Sequence, residues 1–257
     1  MHSLSKGFRV LEAFSAERTE MTLSEVSRAA GIDPGTAFRM LNTLVSLGYV
    51  ARVPDSKRFR LTLKVVDLGL HAIGRADLRE LARPVLRSLV GEISEAASLG
   101  VLDGADVLYV ERVRAGLTRL GVDIRIGTHI PAVSGIIGHA ILAFLPARDR
   151  ARILATAPRR GELPIRHMSE PELNTTLDAV REQGHAIHDS LFGNGLRILA
   201  VPVLDVDGYP VASVSVAAPV VRLSIEEFRA IALGPVRSAA ADIARAVQAS
   251  GTISTAV

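Results

Sequence analysis

The sequence predicts an α+β protein in two parts: a small helical unit carrying a β-hairpin, and a larger domain in which hairpins alternate with helices. Three observations lead there. Thr22 to Pro34 writes a capped helix, a glycine stop and a second capped start in immediate succession. Two short strand-forming runs with basic residues, "YVARV" and "RFRLT", follow it. After about residue 95, apolar β-rich runs joined at Asp-Gly turns alternate with amphipathic stretches.

Taken in order, Ser5 to Ser15 has helical spacing in Phe8, Leu11 and Phe14. Thr22 is an N-cap, and Glu25 three residues on completes a capping box. Leu23, Val26 and Ala30 form the stripe of a short helix that Gly31 ends. Asp33 and Pro34 open the next helix, whose buried stripe is Ala37, Leu41, Leu44 and Val45. This is the helix-turn-helix outline, and the hairpin around "PDSK" makes it winged. Residues 1–63 form this unit. Residues 64–76 form a linker helix with Val65, Leu68 and Ile73 on its apolar side.

Residues 77–257 form the larger domain. It opens with the helical run "DLRELARPVLRSLVGEI", which Pro84 is expected to kink or break. "AASLGVLD" and "DVLYVERV" are strands joined at Asp103-Gly104, and "LTRLGVDI" is a third strand candidate. "IGTHIPAVSG" reads as a loop and "GIIGHAILAFL" as an apolar helix. "EPELNTTLDAVREQG" is an amphipathic helix ended by Gly184. "HAIHDS", "RILAVPVLD" and "YPVASVSVAAP" are strands, and a long helix closes the chain.

Composition narrows the function. Hydrophobic residues are 48% of the 257, enough for a sizeable core, and the absence of cysteine excludes disulfides and thiolate chemistry. Lys6, Arg9 and Glu12 interrupt the N-terminal stretch too early for a signal sequence, and no apolar run is long enough to span a bilayer. A cytoplasmic location is the expectation. Up to residue 62 there are nine basic and six acidic residues; the rest of the chain has 21 of each. The whole excess of +3 therefore sits in the small unit, which suits a polyanionic partner, although so small a difference also arises by chance.

The second helix of the small unit carries Thr36, Arg39, Met40 and Thr43 at helical spacing, a face without an acid. Such a helix fits the major groove of double-stranded DNA. Arg39 can donate two bonds to guanine, Thr36 and Thr43 can bond bases or phosphates, and Met40 can meet a thymine methyl. Thr22, Ser24, Arg52, Lys57 and Arg58 flank it as phosphate contacts. The competing reading is a packing module with a solvated face; the basic hairpin favours DNA.

These residues, with "KGFRVLEAF", "TLSEVSRAAGIDPGTAFRMLNTLVSLGYV", "ASLGVLDGADVLYVERV", "GTHIPAVSGIIGHAILAFLP", "VREQGHAI" and "GLRILAVPVLDVDGYPVASVSV", carry a resemblance over nearly the whole chain. The sequence resembles the isocitrate-lyase-regulator (IclR) family of bacterial transcription factors. The resemblance implies a winged helix-turn-helix, a linker helix and a GAF-like domain that binds a small organic acid. It also implies homodimers, often paired as tetramers, on palindromic operators. The residues themselves lead us to expect no cofactor or metal. It places the effector between the loop at Ser134 and Gly135, the amides of Ile136 and Ile137, and strand positions His188, Ile198, Ser215 and Ala217. Leu191 stands where the family signature usually has glutamate, and Ala217 where a second hydroxyl is usual. Ile136, Ile137, Leu191, Ile198 and Ala217 make the implied pocket more apolar than usual. The expected effector is an aromatic acid or a ring-cleavage product from aromatic catabolism, with a small aliphatic keto acid as the alternative.

Enzyme signatures are weak. Ser134 lacks the glycine two residues before it that a nucleophile elbow needs. "GNGLRI" lacks the third glycine of a dinucleotide loop, and "DVDG" has no closing glutamate at calcium-loop spacing. His185 and His188 fall on opposite sides of a strand, which disfavours a zinc site.

Overall fold

In the computed structural model, residues 2–15, 17–72, 76–91, 93–115, 124–156, 168–189 and 195–250 are described. The chain divides after Gly74 into two compact units.

The N-terminal unit contains α1 (His2–Glu12), β1 (Glu20–Thr22), α2 (Leu23–Ala30), α3 (Pro34–Ser46), β2 (Val50–Arg52), β3 (Arg58–Leu61) and α4 (Lys64–Ala72). The Thr22 hydroxyl accepts from the Glu25 amide, and the Glu25 carboxylate accepts from the Thr22 amide at 2.7 Å. Gly31 ends α2 at φ 61°, a left-handed conformation that costs glycine nothing. Asp33 caps α3 by accepting from the Thr36 amide at 2.8 Å. Val10, Phe14, Met21, Val26, Leu41, Leu44, Val50 and Phe59 make the core. The inward side of α1 is turned from the Phe8–Leu11–Phe14 stripe: Val10 and Ala13 are buried and Phe8 is 51% exposed. The hairpin gains a third strand, in the order β1-β3-β2, because Glu20 to Thr22 pairs with Arg58 to Arg60 before Thr22 caps α2.

The C-terminal unit contains α5 (Ala76–Ser88), β4 (Ala96–Asp103), β5 (Asp106–Arg114), β6 (His129–Pro131), α6 (Ile136–Leu142) and α7 (Ala147–Leu154). It continues with α8 (Glu170–Gln183), β7 (Ala186–Asp189), β8 (Leu196–Leu204), β9 (Pro210–Pro219) and α9 (Ile225–Ser250). Its six strands form one antiparallel sheet in the order β6-β5-β4-β9-β8-β7. Pro84 does not break α5; it lies on the exposed side of the helix. The expected loop before α6 contains β6, and "LTRLGVDI" lies, except for Ile124, outside the described residues.

Successive strand residues face opposite sides, so the two sheet faces separate cleanly. Leu99, Leu199, Val201, Val214 and Val216 face α5 and α9, where Leu86, Phe228, Val236 and Ile243 complete the larger core. The other face carries Ala, Ser and Gly along much of β4, β8 and β9, and α6 packs on it. All seven residues of α6 are buried. Two glycines permit this approach. A Cβ on Gly100 would stand 2.8 Å from Ile137, and one on Gly138 would stand 2.0 Å from the Ala132 carbonyl oxygen.

Gly138→Ala must therefore push α6 off backbone that cannot yield. We expect a cost on the order of 1–3 kcal/mol, read as a lower melting temperature for the C-terminal unit. An unchanged melting temperature would show that the helix can move freely.

Candidate functional site

The exposed face of α3 is set by its core. Ala37 and Leu41 are fully buried and Leu44 is 8% exposed, which turns Gly35, Phe38, Arg39, Thr43 and Ser46 outward. Arg39 and Thr43 stand there as the sequence predicts. Thr36 does not: it is buried, and its hydroxyl accepts from Arg39 Nη2 at 3.0 Å. Met40 is half-buried against the core. The predicted face was centred too close to the buried stripe, so Phe38 (47% exposed) and the half-buried Asn42 were missed.

The flanking residues divide by what already holds them. Ser24 and Lys57 are exposed. Arg52 donates to Asn42 Oδ1 at 2.7 Å and lies over the Phe59 ring, which joins the wing to α3. Thr22 is engaged in the capping box, and Arg58 donates to the Glu20 carbonyl at 2.9 Å with Glu25 3.5 Å away. Both acids of the helix-turn-helix, Glu25 and Asp33, are held as caps, and their hydrogen bonds keep both carboxyls below the usual carboxylate range. Acids near the α3 face are thus turned into helix ends, leaving cationic and neutral groups outward.

In the C-terminal unit, sheet register brings the predicted strand residues together. His188, Ile198, Ala217 and Ala96 are successive partners across β7, β8, β9 and β4. Two residues away on the same face run Ala186, Ala200, Ser215 and Ser98, and Arg112 on β5 continues that row and donates to Ser98 Oγ at 2.8 Å. Arg112 was not picked out from sequence; only its place opposite Ser98 singles it out. Ser134 is buried, and the amides of Ser134 and Gly135 both donate to the Pro131 carbonyl. Gly135 is the N-cap of α6, so the first-turn amides of Ile136 and Ile137 have no partner within the helix. The side chains of both isoleucines are buried core. Leu191 lies outside the described residues. Ile198 and His188, at the β7 end of the row, are half-buried.

His139, unmarked by the sequence reading, stands at this row. It is 1% exposed, its Nε2 is 2.8 Å from the Val133 carbonyl oxygen, and its ring is edge-on to that of His188 at 6.1 Å. Its place inside an apolar run made it look like core. His185, by contrast, bonds the Gln183 carbonyl and feels Arg237 and Arg229 of α9.

The fold has counterparts among known proteins. The chain matches the signature of the IclR helix-turn-helix domain over residues 3–54 and that of the bacterial transcriptional regulator IclR C-terminal domain over residues 70–245. It is 33% identical to the HTH-type transcriptional regulator KdgR of Escherichia coli (strain K12), covering 88% of this chain and 86% of that one. It is 30% identical to the Pca regulon regulatory protein of Pseudomonas putida, covering 88% and 77%. The crystal structure of an IclR homologue from Microbacterium hydrocarbonoxydans, complexed with 4-hydroxybenzoate, superposes with a TM-score of 0.81 at 25% identity, covering 96% of this chain and 99% of that one. Two matched domains and a relative above 30% identity place this chain in the IclR family, whose matched members are named transcriptional regulators. Among the described residues no helix is long and apolar enough to cross a membrane.

The histidines give the C-terminal unit a pH dependence. His139, His185 and His188 all sit below 6.5, with burial the first cause in each; the Val133 and Gln183 carbonyls and Asp189 oppose it only in part. The unfolded chain takes up protons at these residues before the folded one does, so stability is full above about 6.5 and falls with pH below it. Melting temperature should drop between pH 7.5 and 5.5, and His139→Asn should flatten that drop. A melting temperature that is level or rises toward pH 5.5 would contradict this.

Proposed function

We propose that this chain is an operator-binding transcriptional regulator whose C-terminal unit senses an aromatic acid or a ring-cleavage product. The observation that carries the reading is the row His188–Ile198–Ala217 beside Ser215–Ser98–Arg112, which sets polar groups next to apolar ones on the sheet face that α6 covers. The amides opening α6, Ser215 and the Arg112 guanidinium supply hydrogen-bond donors and positive charge for a carboxylate. Ile198 and Ala217 supply apolar surface for its body. Ser134 and Gly135 position the start of α6. The 4-hydroxybenzoate complex of the Microbacterium homologue supports this ligand class.

On DNA, Arg39, Phe38 and Thr43 read base edges from α3, while Ser24, Arg52 and Lys57 hold phosphates and Thr22 and Arg58 stiffen the frame beneath them. Leu63, Val66 and Leu68 are exposed beside or on α4, apolar surface that a symmetric homodimer would cover, with a second pairing through the C-terminal units making a dimer of dimers. Such a protein works where its operator is, in the cytoplasm.

Operator duplexes selected from a random pool test the reading. Arg39→Ala should lose roughly 1–3 kcal/mol of discrimination against a scrambled duplex. Lys57→Ala should weaken both duplexes alike and flatten the salt dependence. Unchanged discrimination in Arg39→Ala would remove α3 from base reading.

Adding 4-hydroxybenzoate should shift operator affinity by roughly 5–150-fold, and Ser215→Ala should diminish the shift without changing ligand-free binding. A response to pyruvate in place of aromatic acids would overturn the ligand class and leave the regulator standing. Light scattering should give a dimer or larger at micromolar concentration; a monomer would refute the assembly.

A further inference from the structure

His139 is a buried imidazole with half of its hydrogen-bonding capacity unused. A carbonyl oxygen can only accept, so the bond of Nε2 to the Val133 carbonyl fixes a proton on Nε2. Burial keeps the ring neutral. Nδ1 therefore carries a lone pair, and that atom is buried with no hydrogen-bond partner. Leaving a buried acceptor unpaired is costly, and such groups mark places where a ligand or water is expected. The His188 ring faces it edge-on, and His188 shares its row with Ile198 and Ala217. The neighbouring row on the same face carries the hydroxyls of Ser215 and Ser98 and the Arg112 guanidinium, on β9, β4 and β5.

This arrangement is polar in a directional sense. A carboxylate brings only acceptors and would meet another acceptor at Nδ1. A hydroxyl brings a donor. Resting on the reading of this unit as an acid sensor, we propose that the effector is a hydroxylated acid, whose hydroxyl donates to Nδ1 of His139 beside His188 while its carboxylate lies toward Ser215 and Arg112. His139 is then the residue that separates hydroxylated acids from their unsubstituted analogues. A site built to receive a hydroxyl rejects the analogue that lacks it, because its own polar group is left unpaired.

Calorimetry on the full-length protein with 4-hydroxybenzoate, benzoate and 4-methoxybenzoate tests the assignment. The methoxy compound keeps the oxygen and loses the donor. The parent protein should bind 4-hydroxybenzoate about tenfold more tightly than either of the others, the worth of one well-placed hydrogen bond. His139→Leu should bring the three within about threefold by removing the acceptor while benzoate binding persists, and His139→Gln, which restores an acceptor, should recover part of the preference. If His139→Leu fails to fold, nitrogen resonances of the parent protein decide: the His139 Nδ1 signal should shift with 4-hydroxybenzoate and stay in place with benzoate. Equal affinities in the parent, a preference that survives in His139→Leu, or an unmoved Nδ1 signal would each overturn the proposal while leaving the acid-sensor reading intact. Failure of all three acids to bind would overturn that reading and this assignment with it.

Discussion

The C-terminal unit is organised by the close approach of one short helix to one sheet face. α6 has seven residues, all buried, and it meets the sheet at Gly100 and the β6 loop at Gly138. At both points a single methyl group would collide with atoms already in place. Helix and sheet can be this close only if the sheet beneath is lined by small side chains, and Ala96, Ser98, Ala186, Ala200, Ser215 and Ala217 are those. On this side of the sheet the rings of His139 and His188 also meet. The opposite face carries Leu and Val against α5 and α9, where Phe228 joins them, and supplies the bulk of the hydrophobic core. One face holds the unit together, and the other can hold polar groups at an affordable cost.

The N-terminal unit solves a different electrostatic problem. A helix that meets DNA must not present carboxylates, yet helix starts favour them. Glu25 and Asp33 are placed where they close the first turns of α2 and α3. Arg58, fastened to the Glu20 carbonyl and near Glu25, ties β1 to the same corner. The wing is coupled to α3 by the bond from Arg52 to Asn42.

What could be read from the sequence was what local chemistry decides. The Thr22–Glu25 box, the Gly31 and Gly184 stops and the Asp33 cap depend on residues three or four apart, and each forms as written. Strands β1 and β6 are three residues long and exist only through partners distant in sequence, Arg58 to Arg60 and Asp106 to Leu108. No local pattern announces them. The outward face of α3 was misjudged at Thr36 because helical spacing gives a period and the core gives the phase. His188, Ile198, Ser215 and Ala217 were located through family resemblance, and register explains why they converge. His139 carried one faint signal, a titratable ring within "GIIGHAILAFL", but spacing alone cannot distinguish a buried histidine that packs from one that binds.

The proposed effector site lies between the start of α6 and the β7–β8–β9 row. Hydrogen exchange of the full chain with and without saturating 4-hydroxybenzoate tests it most directly. The account predicts slowed exchange at residues 133–139 and along β7, β8 and β9, with little change elsewhere in the C-terminal unit. Protection centred instead on the separate cleft lined by Phe144, Arg150, Arg181 and Tyr209 would contradict it.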